Sequence, residues 1–74
     1  MIAALSVLAE PTRQRIVEVL VRGPLSSGDI ARRLAASPPA ISQDLRTLRE
    51  ARIVLVRADA QRRIYELDPA GVGE

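Results

Sequence analysis

Between Gly23 and Leu67 the sequence places two short amphipathic helical segments, separated by a turn, immediately before two β-rich runs. The first helical segment runs from Leu25 to Leu34, and the second begins after Ser37. Helix, turn, helix and hairpin in this order are typical of domains that put one helix into a DNA major groove with a basic ribbon beside it. We therefore predict a mainly α fold with a small β-hairpin, in which three helices form the core and the hairpin forms a wing.

The second helical segment has a single apolar stripe, because Ile41, Leu45 and Leu48 recur at i, i+4 and i+7. Its opposite face is polar and partly basic. The side chains on that face are Ser42, Gln43, Arg46 and Arg49. A helix with one buried stripe and one polar face can pack on a core while presenting hydrogen-bonding groups to a partner.

The starts of both helical segments are predicted from capping chemistry. Ser26 lies three residues before Asp29, which resembles a capping box with Asp in place of the usual Glu or Gln. In the second segment, Pro39 disfavours α geometry at the residue before it. We therefore predict a helix over residues 39–51, with Pro38 in the extended cap position.

The predicted wing covers residues 53–67. It pairs Ile53–Arg57 with Arg62–Leu67 across a turn at residues 58–61. In that turn only Asp59 belongs to a residue type that tolerates a left-handed backbone. The return strand begins with two consecutive arginines, so the ribbon is expected to be basic near its tip.

The remaining segments complete a single domain over residues 1–74. Residues 1–9 are predicted as a short N-terminal helix, and an amphipathic helix then runs from Pro11 to Gly23-Pro24, with Arg13 and Arg15 on its solvent side. Residues 69–74 are predicted as a frayed tail. The N-terminal segment lacks a basic leader and no run is long enough to span a membrane, so we expect a cytoplasmic protein without a membrane partner.

The amino-acid composition argues against several classes of function. The chain contains no cysteine and no histidine, and all eleven of its basic residues are arginine. Thiolate and imidazole ligands are therefore absent, as is the usual near-neutral general base, so we predict no metal site, no cofactor and no enzymatic activity. The net charge is only +2. Affinity for nucleic acid would have to come from a concentrated basic face.

Four blocks of the sequence together resemble one protein family. The blocks are Leu8–Ile16, Ser37–Ser42, Leu45–Ala51 and Tyr65–Pro69. In this order they are similar to the ArsR/SmtB-like winged helix-turn-helix repressors, over nearly the whole chain. The resemblance implies a three-helix core with a wing, a prokaryotic cytoplasmic setting, and a dimer that binds operator DNA until an inducer releases it.

Some positions depart from the family pattern. Metal sensors of the family often carry a Cys-x-Cys pair where this chain has Ser26 and Gly28, and others bind zinc through Asp and His on a C-terminal helix. Metal sensing of these two kinds therefore looks excluded, and the inducer is not identified. Leu55 falls where the family is often polar, which leaves the wing unusually apolar.

Three further departures concern the predicted recognition helix and wing. Asp44 replaces the usual His or Gln, and a carboxylate there would repel phosphates unless it faces cytosine N4 or pairs with an arginine. Arg52 stands where a glycine often ends the helix, and Ala60 where a glycine often makes the wing turn. Each is expected to cost up to about 1 kcal/mol of backbone strain.

The candidate contacts to double-stranded DNA lie on the second helical segment and the wing. They are Ser37, Pro38, Ser42, Gln43, Arg46, Arg49, Arg62 and Arg63. We favour base-edge and phosphate contacts for these residues over an ordinary solvated surface. Ile2, Leu5 and Leu8 are predicted to form the interface of a homodimer.

Two function classes remain open on the sequence. The first is a DNA-binding transcriptional regulator, most simply a repressor. The second is a winged-helix module that binds another protein and has little or no affinity for DNA. Asp44, Leu55 and the low net charge favour the second class. The first class is favoured by Ser42, Gln43, Arg46 and the Arg62-Arg63 pair.

Overall fold

The computed structural model describes residues 6–72, and within them three helices pack around one apolar core beside a small antiparallel sheet. Residues 6–8 are helical. The elements then follow in this order: α1 (Pro11–Leu20), β1 (Leu25–Ser26), α2 (Ser27–Leu34), α3 (Pro38–Glu50), β2 (Val54–Asp59), β3 (Arg62–Leu67) and α4 (Pro69–Val72). The predicted fold class is confirmed.

The core is built from the predicted apolar stripes. On α3, Ile41, Leu45 and Leu48 are fully buried, and Ile30 and Leu34 bury the inner face of α2. The helix α1 adds Ile16 and Leu20, the sheet adds Val54 and Tyr65, and Ile53 joins the core just before β2. Burial of one stripe from each helix leaves the outer face of α3 free for solvent or a partner.

Helix starts are set by side-chain acceptors. The Glu10 carboxylate accepts from the backbone N–H of Arg13 at 3.2 Å, and the Ser26 hydroxyl accepts from that of Asp29 at 3.1 Å. For α3 the prediction was wrong by one residue at each end. The helix begins at Pro38, because Ser37 serves as N-cap and accepts from the Ala40 N–H, which a proline side chain cannot do.

The helix α3 ends in a Schellman motif. The Ile53 N–H bonds the Leu48 carbonyl at 2.9 Å, and the Arg52 N–H bonds the Arg49 carbonyl at 2.9 Å. This motif requires a left-handed residue after the helix, and Arg52 takes that role with φ of 62°. The chain therefore turns directly from α3 into β2, which fixes the wing beside the helix.

The sheet has three strands in the order β1-β3-β2, all antiparallel. The predicted hairpin is confirmed, but β2 extends to Asp59, which pairs with Arg62. The loop therefore shrinks to Ala60 and Gln61, and Ala60, not Asp59, carries the left-handed backbone with φ of 59°. A positive φ at the first loop residue alone is the pattern of a type II′ turn.

Two elements differ from expectation at the edges of the sheet. Leu25–Ser26 was predicted to begin the first helical segment, but it forms a third strand against Tyr65 and Ile64. After β3, residues 69–72 form a helical turn where a frayed tail was predicted. The Asp68 carboxylate starts that turn by accepting from the Ala70 N–H at 2.9 Å.

Candidate nucleic-acid interface

The outer face of α3 carries the predicted DNA-contacting side chains together on one exposed surface. Ser42, Gln43, Arg46 and Arg49 are all exposed, while the stripe behind them is buried. Near the start of the helix, Ser37 and Pro38 are exposed as well. We call this set of six residues the α3 face.

Within the α3 face, Arg46 has a weak internal partner. Its Nε lies 3.3 Å from a carboxylate oxygen of Glu50, one turn further along, and the two side chains are 76% and 66% exposed. Ion pairs this exposed contribute little because water and salt screen them. Arg46 can therefore exchange Glu50 for a phosphate or a base at small cost.

Asp44 does not belong to the α3 face. Its carboxylate lies 3.4 Å from Nε of Arg13 on α1, and the two side chains are only 18% and 24% exposed. Of the two alternatives considered from sequence, pairing with an arginine is the one that the structure shows. The prediction that Arg13 lies on the solvent side of α1 was wrong, because this pairing folds its side chain against α3.

The wing presents its arginines on both sides of the ribbon. Arg62 and Arg63 are exposed and consecutive in β3, so strand alternation directs their side chains to opposite faces. Arg57 on β2 pairs with Glu66 on β3, and its Nε lies 3.4 Å from a carboxylate oxygen of Glu66. Leu55 is 43% exposed, which confirms that the wing carries an apolar residue at its surface.

An open groove joins the wing to the start of α2. Its walls contain Ser26, Ser27, Gly28, Asp29 and Arg32 from α2 and its cap, with Gln61, Arg62 and Arg63 opposite. Ser26 and Gly28 thus stand in a groove that holds three arginines and a single carboxylate. That carboxylate, from Asp29, is already paired with Arg32.

The predicted dimer residues are only partly covered by the structure. Ile2 and Leu5 lie outside the described residues. Leu8 and Val7 are half-buried and pack against the core of their own chain. No helix within residues 6–72 has the length and apolar character needed to cross a membrane.

Three helices around one core, with a β-hairpin wing beside the third helix, define a winged helix-turn-helix domain. A sequence profile described as "Bacterial regulatory protein, arsR family" matches residues 10–55. The chain therefore belongs to the arsR family of bacterial regulatory proteins, which confirms the resemblance noted in its sequence.

Individual relatives agree with this assignment. The chain is 51% identical over 65 residues to the HTH-type transcriptional regulator Rv2034 of Mycobacterium tuberculosis, a match that covers 88% of this chain and 61% of Rv2034. It is 33% identical over 61 residues to the transcriptional repressor SdpR of Bacillus subtilis, covering 82% of this chain and 68% of SdpR. The chain thus spans about three fifths of the length of Rv2034.

A solved structure shows the same fold. The crystal structure of a possible transcriptional regulator for arsenical resistance superposes with a TM-score of 0.90 at 46% sequence identity. The match covers 95% of this chain and 73% of that one. The arrangement of α3 and the wing is therefore shared with that solved structure.

Proposed function

We propose that this protein is a DNA-binding transcriptional repressor that inserts α3 into the major groove of its operator and holds the DNA backbone with the wing. The observation that carries the proposal is the division of α3 into a buried apolar stripe and an exposed polar face. A helix of this kind can enter a major groove without exposing its core side. Relatives named as a regulator and a repressor support the same class.

The internal pairing of Asp44 removes an objection to DNA binding. A free carboxylate on α3 would repel phosphates, but this one is neutralised by Arg13 at the α1 side of the helix. The low net charge is also less of an obstacle, because two arginines and no free acidic group lie on the α3 face. Asp44 therefore no longer favours a protein-interaction module over a DNA-binding domain.

Each part of the interface has a separate role in this proposal. The Gln43 carboxamide pairs with an adenine edge, and Ser42 and Arg46 contact neighbouring bases or phosphates. The backbone of the DNA lies along Arg49, Ser37 and Pro38. Arg62 and Arg63 bind phosphates in a manner that does not depend on sequence.

The active form is a homodimer that pairs N-terminal helices. Ile2, Leu5 and Leu8 supply its apolar contact. A helix-turn-helix dimer places its two recognition helices about one turn of DNA apart, so the operator is expected to be an inverted repeat.

The inducer is not a metal ion bound by this chain. Zinc, cadmium and arsenite prefer thiolate or imidazole ligands, which the 74 residues do not contain. The groove at Ser26 and Gly28 is moreover lined by arginines that repel cations. We propose that a signal of another kind releases the DNA.

Selection of bound duplexes from a random pool tests the proposal. We expect enrichment of a short motif, repeated with inverted orientation at one-turn spacing. A pool that shows no enrichment after several rounds, with protein that is folded, would contradict operator recognition.

A further inference from the structure

The Arg13 side chain links α1, on which it lies, to α3 and to the N-terminal segment. Its Nε contacts Asp44 on α3 at 3.4 Å, and its terminal Nη1 donates to the backbone carbonyl of Val7 at 3.3 Å. Its own backbone N–H binds the Glu10 cap. The neighbouring Gln14 adds a second tie to the N-terminal segment by donating to the Leu8 carbonyl at 2.6 Å.

The Arg13–Asp44 pair differs from the other ion pairs within residues 6–72. Those at Arg46, Arg32 and Arg57 join neighbouring turns or strands and involve more exposed side chains. The pair at Asp44 instead joins residues 31 positions apart, on different helices, and is mostly shielded from water. Removing either partner leaves a partly desolvated charge without compensation, so the pair restrains how α3 lies on α1.

Asp44 also lies immediately next to the residue that we assign to base recognition. Gln43 points to solvent and Asp44 points to α1. A small rotation of α3 about its axis would therefore break the ion pair and displace the Gln43 carboxamide together. Base pairing by a carboxamide requires good placement, whereas contacts of arginine with phosphate tolerate more movement.

We propose that Arg13 and Asp44 are positioning residues that set the orientation of α3 for sequence recognition and couple it to the N-terminal segment. This inference rests on the proposed function, since it assigns α3 to the operator. Neither residue touches DNA. Their effect is on the ratio of affinities for operator and unrelated DNA.

Charge alone predicts opposite changes in overall DNA affinity for the two single variants and no loss of specificity, which differs from the prediction of a positioning role. Asp44→Asn removes a negative charge, so on charge alone it should bind all DNA more tightly. Arg13→Gln removes a positive charge and on charge alone should bind all DNA more weakly. If the pair positions α3, both variants lose specificity, whatever happens to their overall affinity.

The experiment measures affinity for the selected operator duplex and for a shuffled duplex of equal length. We expect the ratio of the two affinities to fall about five-fold in Arg13→Gln and by a similar factor in Asp44→Asn. The double variant should fall no further, because both changes break the same contact. Arg15→Gln is the matched control: it removes the same charge from an exposed position on α1 that has no ion pair within residues 6–72, so its ratio should equal that of the wild type.

Arg13→Lys provides a variant that keeps the charge and is expected to remain folded. Its ratio should lie within about two-fold of the wild type, because an ammonium can still reach Asp44. Unchanged ratios in Arg13→Gln and Asp44→Asn would overturn the inference while leaving DNA recognition intact. Additive losses in the double variant would overturn it too. If the wild type does not prefer the operator duplex, the proposed function itself fails, and the inference fails with it.

Discussion

Three residues other than glycine have a left-handed backbone within residues 6–72: Ala35 after α2, Arg52 after α3 and Ala60 in the hairpin loop. Arg52 has φ of 62° after α3, and Ala60 has φ of 59° in the hairpin loop. Both positions were expected to be strained from sequence, and the positive φ values confirm that expectation. A side chain in this conformation crowds its own carbonyl and costs about 1 kcal/mol relative to glycine.

Glycine at either position should stabilise the domain. We expect Arg52→Gly and Ala60→Gly each to raise the free energy of unfolding by about 1 kcal/mol, because glycine adopts positive φ without steric cost. Urea denaturation measures the change. Ala58→Gly is the control, since Ala58 lies in extended β2, where glycine should lower stability by about 0.5–1 kcal/mol. Destabilisation by all three changes would contradict the strain at Arg52 and Ala60.

Residue patterns predicted burial well and predicted partners poorly. The stripe of Ile41, Leu45 and Leu48 follows from helical periodicity, and its complete burial was expected. The contact between Arg13 and Asp44 could not be located in this way, because it joins two helices whose packing angle is a tertiary property. The only sequence signal was the carboxylate itself, which needs a compensating charge when it lies on a DNA-facing helix.

At the scale of elements, the helix and the wing were predictable because each has its own local pattern. The strand β1 was not, because two residues carry no periodicity. Leu25 and Ser26 become a strand only through pairing with β3. The hairpin loop is two residues shorter than predicted for a related reason: the register of β2 on β3 extends the pairing to Asp59 and Arg62, and no local pattern sets that limit.

The helix and the wing should respond differently to mutation. Arg62→Ala with Arg63→Ala should weaken binding to all duplexes about equally, and the slope of log affinity against log salt should become shallower by about 1 per lost phosphate contact. Gln43→Ala should cost about 1–3 kcal/mol on the operator and little on shuffled DNA, with the salt slope unchanged. Fluorescence anisotropy with both duplexes over a salt series measures all of these quantities.

The single wing variants refine this comparison. Because Arg62 and Arg63 point to opposite faces of β3, a ribbon that lies flat on the DNA brings one of them closer to the phosphates. We then expect unequal changes in salt slope from the two single variants. If the helix and wing variants lose operator and shuffled binding in the same ratio, the division of roles is wrong.

At the scale of the whole molecule, the N-terminal segment is expected to mediate self-association. Leu5→Glu should shift a monomer–dimer equilibrium towards monomer in sedimentation experiments, because it places a charge in a small apolar interface. Val21→Glu is the control, since Val21 is the most exposed large apolar side chain within residues 6–72, at 69%, and lies at the far end of α1. A tight dimer that persists in Leu5→Glu would mean that another surface pairs.

The lack of thiolate and imidazole ligands also gives a prediction for the whole chain. DNA affinity should be the same with and without micromolar zinc, cadmium or arsenite, because the available oxygen ligands compete poorly for these ions. Affinity measured in parallel with a chelator serves as the control. Zinc binding that changes the affinity for the operator would contradict this expectation.

The most direct measurement is a titration of the protein with duplex DNA at two salt concentrations, about 50 mM and about 200 mM. Binding through arginines on α3 and the wing releases counterions, so affinity should fall steeply between the two conditions for every duplex. The operator should remain preferred at both concentrations. No detectable binding at the lower salt concentration, by protein shown to be folded, would contradict the account and favour a winged-helix module that binds another protein.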